Sequence, residues 1–174
     1  IEDRTENQQV TPESNLSLGT SYKETDATGT IDIQEKIGNY FNLSQLIYSD
    51  TANNNNINNL PGIDNSPNSS TIIQNLKNLM INVGDKIYEK YGNVTISSGY
   101  RSNTLNKKLK GADNSQHTKG EALDIQIPGI STSEIFNWAV ENIPTYDQII
   151  WEFPEKGESS WVHISYSNNN RKDK

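Results

Sequence analysis

Only two histidines occur in the 174 residues, His117 and His163. His117 lies in Asn-Ser-Gln-His-Thr-Lys-Gly, and His163 lies in Trp-Val-His-Ile-Ser. Between them Asp124 sits in the alternating run Ala-Leu-Asp-Ile-Gln-Ile, facing away from Leu123 and Ile125. Two neutral imidazoles and one carboxylate can hold a zinc ion and leave a fourth position for water. Such a metal would acidify that water and polarise a substrate carbonyl. Each residue also has a simpler reading. A strand histidine is often half-buried and hydrogen-bonded, and a strand aspartate often caps a loop. Spacing by itself leaves both readings open, because no His-Glu-x-x-His pair fixes two ligands on one helix.

Composition removes other chemistries. The chain has no cysteine, which excludes disulfide frameworks, thiolate zinc sites and cysteine nucleophiles. Lys and Arg number 15 against 22 Asp and Glu, a net charge of −7. That balance argues against nucleic acid as a partner, since phosphate binding needs a basic face. No apolar run approaches the length of a spanning helix. Hydrophobic residues make up 32%, and the deficit lies mainly in the first 70 positions. A first residue of Ile rather than Met suggests processing or a chosen boundary, with any signal peptide already removed.

The elements that must position these residues follow from periodicity. Residues 1–35 are polar and aperiodic and read as a flexible tail or linker, although Ile31 and Ile33 alternate like a short strand. Residues 36–70 read as an arm followed by an Asn-rich loop, whose tract at 53–59 reads best as biased composition without a role. Ile72, Ile73, Leu76, Leu79, Met80, Val83, Ile87 and Tyr88 mark one face of a helix over about 71–91. Ser69 or Ser70 would cap it, Gly92 would end it, and Gly84 is a mild cost inside it. Strands are predicted at 93–98, 122–127, 148–153 and 161–166, with helices at 105–109 and from Ser131 to about 142. The result is α+β: a small, mainly antiparallel sheet with flanking helices, its compact core at 71–168 and a polar tail at 169–174.

The motifs Ser98-Gly99-Tyr100-Arg101-Ser102, Ser115-Gln116-His117-x-x-Gly120-x-Ala122-x-Asp124 and Trp161-Val162-His163 occur in a fixed order. Together they resemble the zinc D-Ala-D-Ala carboxypeptidases. These are peptidoglycan peptidases related in fold to the Hedgehog signalling domain. The resemblance runs from about Phe41 to Tyr166 and is nearest to the branch of that family common in phages and their bacterial hosts.

The resemblance implies roles. His117, Asp124 and His163 match the metal ligands, with zinc as cofactor. Arg101 matches an arginine near the scissile carbonyl, able to hold an oxyanion or a carboxylate; its simpler reading is a structural ion pair. Ser115 matches a substrate-contacting serine, otherwise a turn residue. Gly120 would permit a backbone turn behind the ligand loop. Trp161 reads equally as a cleft wall or as core. Several family members carry an acidic residue three positions before the last histidine, where this chain has Ser160. The general base is therefore sought among Glu152, Glu155 and Glu158, with Glu152 preferred over Glu158 because its strand should neighbour that of His163.

The implied function is hydrolysis of peptide bonds in peptidoglycan stem peptides by metal-activated water, as a carboxypeptidase or a related endopeptidase. The implied place is the cell envelope, the extracellular space or a phage virion, with the periplasm as a further option. Residues 1–35 could tether the domain to a larger phage or cell-surface assembly. The alternative is a zinc-containing structural or binding component without catalysis, and a weaker one is a carboxypeptidase for other peptides.

Overall fold

Apolar residues spaced two apart make strands here, and those spaced three and four apart make helices. The computed structural model describes residues 23–26, 29–64 and 67–174. It begins with an antiparallel hairpin, β1 (Lys23–Asp26) and β2 (Gly29–Asp32), and a shorter one, β3 (Lys36–Ile37) and β4 (Phe41–Asn42). Two short helices follow, α1 (Leu43–Ile47) and α2 (Asp50–Asn54). A long helical segment comprises α3 (Ser69–Leu79), a π-helical turn (Met80–Gly84) and α4 (Asp85–Tyr91). The remaining elements are β5 (Thr95–Ser98), α5 (Asn103–Lys108), β6 (Ala122–Gln126), α6 (Thr132–Asn142), β7 (Ile149–Glu152) and β8 (Trp161–Ser165). Short 3-10 turns lie at Gln116–Lys119 and Pro154–Ser159.

The central sheet has the order β5-β6-β8-β7 and is antiparallel throughout. Ile96, Leu123, Ile125, Ile149, Val162 and Ile164 are buried on one face. They join Leu76, Met80, Ile87 and Ile135 from the helices in one apolar cluster. Burying each such side chain contributes roughly 1.5–3 kcal/mol before the entropy of ordering is subtracted. The fold is the expected α+β arrangement of a small antiparallel sheet with flanking helices.

Several local expectations change. The long helix starts at Ser69, and its cap is Asn68, whose side chain accepts from the Thr71 N–H. A π turn over Met80–Gly84 interrupts it, and a Cβ on Gly84 would crowd the Met80 Cε. The atoms it would meet are the far end of a flexible side chain, so packing favours Gly84 without demanding it. The boundary of the tail at 35 falls too late, because Ile31 and Ile33 are buried in the core. The rest of that predicted tail, residues 1–22, lies outside the described residues. The C-terminal stretch 169–174 is docked rather than free. Its Asp173 bridges to Gln148 in parallel, and Arg171 pairs with buried Asp147.

The Asn tract also acquires a role that composition hides. Part of it forms α2, capped by the Ser49 hydroxyl. Asn59, itself buried, donates through Nδ2 to the Ile47 carbonyl at 2.8 Å and the Tyr100 carbonyl at 3.1 Å, and accepts from the Ser102 N–H at 2.7 Å. It clamps the loop that carries Arg101 to the end of α1. Asn59→Ala would strand buried polar groups, so it is expected to cost about 2–3 kcal/mol. The urea midpoint would fall accordingly, and an unchanged midpoint would refute the clamp.

Candidate metal centre

The sheet face opposite the apolar core is polar, and strand register builds the centre upon it. Asp124 is paired with Ser98 of β5 and with His163 of β8, and His163 is paired with Ile150 of β7. Paired residues share a face, so Asp124 and His163 stand side by side. The His163 Nδ1 lies 2.9 Å from the Asp124 Oδ1.

His117 arrives from a loop. The Ser115 hydroxyl accepts from the His117 N–H, and the Thr118 hydroxyl donates to the Ser115 carbonyl at 2.7 Å. Gly120 ends the turn at φ 73°, and a Cβ there would meet the Ile72 carbonyl oxygen at 2.7 Å, so only glycine fits. The His117 Nε2 then points at the Asp124 Oδ2, 3.3 Å away. On the far side of the ring, Nδ1 lies 2.7 Å from the Gly99 carbonyl oxygen. A carbonyl can only accept, so Nδ1 carries the proton and Nε2 offers its lone pair.

One donor atom from each of His117, Asp124 and His163 falls within 4.8 Å of the other two. Burial pushes the His117 imidazole below its usual pKa, outweighing the pull of the Asp124 carboxylate. Burial acts on Asp124 in the upward direction, yet His117 and His163 hold its carboxyl well below the usual range. A neutral imidazole and an ionised carboxylate are the forms that ligate metal. The residues present therefore fit a divalent metal ion with two nitrogens and one oxygen.

Arg101 is buried beside this group. Its Nε donates to the Ser98 hydroxyl at 2.7 Å, its Nη2 to the Asp124 Oδ2 at 3.1 Å, and its backbone N–H to the His117 carbonyl at 3.1 Å. The ion pair considered as the simpler reading is thus present, and it places the guanidinium next to the candidate ligands.

A cavity of about 620 Å³ opens beside His163 and is also lined by Ser115, Gln116, Asp147, Ile150 and Glu152. Glu152 pairs with Trp161, two residues before His163 on β8, so Glu152 and His163 face the same side. Glu158 lines a different cavity with Gln126 and Trp151, and Glu155 is exposed in the 3-10 turn Pro154–Ser159. Geometry separates Glu152 from the other two acids. Trp161 is not a cleft wall: it is 5% exposed, its ring centroid lies 5.1 Å from that of Phe153, and Lys156 sits above it. The turn between β7 and β8 folds over this ring and takes it out of the cavity.

Three supports were not singled out for positioning in the sequence: Asn59, Gln116 and Asp147. Gln116 donates to the Asp147 Oδ2 at 2.8 Å, and Arg171 forks onto both carboxylate oxygens at 2.9 Å. The Arg171 bonds hold Asp147 at a pKa of about 2, below its ordinary 3.8, against the upward push of burial. A depressed pKa stabilises the fold above about pH 4, and the contribution is lost as pH falls through 2. With Arg171 half exposed, the effect is roughly 1–2 kcal/mol. Urea titrations between pH 5 and pH 2 should show a shallower decline for Asp147→Asn than for the wild type. Parallel declines would mean the pair is not felt.

The sequence matches a family described as Peptidase M15 over residues 39–165, a span that contains His117, Asp124, His163, Arg101, Ser115 and Glu152. No curated protein matches the chain.

Proposed function

The chain belongs to the peptidase M15 family of metallopeptidases, and from that premise we propose that it is a zinc enzyme that hydrolyses peptide bonds in the stem peptides of bacterial peptidoglycan. The observation that carries this reading is the convergence of His117, Asp124 and His163 within 4.8 Å, with His117 fixed by Gly99 as a neutral ligand. Two imidazoles and a carboxylate suit zinc better than the all-oxygen sites of calcium or magnesium.

Zinc, when bound, supplies Lewis acidity to a carbonyl oxygen and brings the pKa of water towards neutrality. The protein supplies the rest. Glu152 accepts a proton at its carboxylate and returns it to the departing amine, its place on the His163 face supporting that role. Arg101, held by Ser98 and Asp124, presents a fixed positive charge to the oxyanion that develops at the scissile carbonyl. Ser115, on the cavity wall, contacts the peptide. Work on such a substrate belongs at the cell envelope, outside the cell or on a phage particle. No helix among the described residues is long and apolar enough to cross a membrane.

Digestion of purified peptidoglycan with the zinc-reconstituted protein, read by mass spectrometry of the released muropeptides, tests this directly. A product whose mass identifies one stem-peptide bond is expected, absent for His117→Ala. Stoichiometric zinc with no product from any stem peptide would overturn the peptidase reading in favour of a non-catalytic zinc component.

A further inference from the structure

The last residues of the chain lie beyond the span matched by the family, which ends at 165, yet they border the same cavity as His163 and Glu152. Ser167, Asn168, Asn169 and Arg171 form part of its wall. Their attachment is specific. The Ile149 N–H donates to the Asp173 carbonyl and the Asp173 N–H to the Asp147 carbonyl, both at 2.9 Å, which extends the edge of β7. The Arg171 backbone N–H, Nε and Nη2 all donate to the Asp147 carboxylate, at 3.0, 2.9 and 2.9 Å. Asp147 is 2% exposed, so it is a buried charge that Arg171 neutralises.

The same carboxylate reaches towards the metal centre. Its Oδ2 accepts from the Gln116 Nε2, and Gln116 immediately precedes His117. The Gln116 Oε1 is buried and has no hydrogen-bond partner among the described residues, and the Asp147 carboxylate is what its amide nitrogen meets. Arg171, Asp147, Gln116 and the His117 turn make a continuous polar chain from the strap to a candidate ligand.

We propose that residues 167–173 are a strap that fixes the His117 turn and completes the cleft, with Arg171 and Asp147 as positioning residues acting through Gln116. The proposal rests on the peptidase reading only for its effect on substrate. A fork held by a buried carboxylate sets the angle of its neighbours, which a single point charge does less well. Outer-shell partners of metal ligands commonly change affinity by roughly 10- to 100-fold. Here the link is one residue further removed, so the lower end applies.

The test uses the full chain and zinc alone as probe. Arg171→Ala is expected to weaken zinc binding by roughly tenfold in a chelator competition. It is also expected to speed amide exchange over residues 116–119 and raise KM more than it lowers kcat. Arg171→Lys should restore part of the affinity. Gln116→Ala should weaken zinc to a similar degree, and the double variant should be no worse than either single one, because both cut the same path. A lower Tm for Arg171→Ala with unchanged zinc affinity and unchanged exchange at 116–119 would overturn the strap, as would fully additive losses in the double variant. If the wild type binds zinc but hydrolyses nothing, the peptidase reading falls while the zinc arm still decides the strap. If it binds no zinc, exchange at 116–119 decides it alone.

Discussion

Glu152→Gln should retain zinc and lose turnover by about 10²- to 10⁴-fold, the range typical of a positioned general acid–base. The substitution keeps the shape of the side chain and the pairing of Glu152 with Trp161. It removes only the ability to take a proton. Glu152 is not among the three clustered donors, so metal content should stay at the wild-type level. Glu158→Gln is the matched control. Glu158 lines the other cavity, and its backbone carbonyl accepts from Gln126 at 3.2 Å. Its variant should turn over at nearly the wild-type rate. Steady-state rates on muropeptides with parallel zinc analysis decide between the two acids. Full turnover in Glu152→Gln would remove Glu152 from the mechanism.

Asp124→Ala carries a second large effect, on stability as well as on metal. Asp124 takes hydrogen bonds from His163 and Arg101 in a region almost closed to water. Without it the Arg101 guanidinium remains buried, its side chain 8% exposed, with only the Ser98 hydroxyl as a side-chain partner among the described residues. Breaking a buried ion pair from one side typically costs about 3–5 kcal/mol. The loss should appear in urea titrations of the metal-free protein, where zinc cannot contribute. His117→Ala removes a ligand without stranding a charge, so it should abolish zinc binding with a smaller loss of metal-free stability. Equal losses in the two variants would show that the Arg101–Asp124 pair adds little.

What the sequence revealed follows from the reach of each signal. Alternation in Ala-Leu-Asp-Ile-Gln-Ile is local, and it turns Asp124 away from Leu123 and Ile125, while the run Trp-Val-His-Ile-Ser places His163 within a strand. His117 sits in a loop without a period, so residue type made it a candidate and the resemblance, not a pattern, gave it its role. Glu152 was reachable because strands joined by a short connection tend to pair. Long-range polar contacts left no such trace. Asn59 meets Ser102 across 43 positions and Asp147 meets Arg171 across 24. An Asn tract and a charged tail look the same whether or not one member is buried. The π turn over Met80–Gly84 was likewise hidden, because the apolar spacing runs through it unbroken.

The sheet order has a consequence for synthesis. Among the described strands β8 is the last in chain order, yet it lies between β6 and β7. Until it inserts, β6 has an open edge, and β7 has no partner in this sheet. Unpaired edges of this kind invite association with other chains. The nascent domain is therefore most exposed to aggregation just before its final strand is delivered. Since that strand also carries His163, the ligand set cannot close earlier, and metal capture waits for β8 to be delivered.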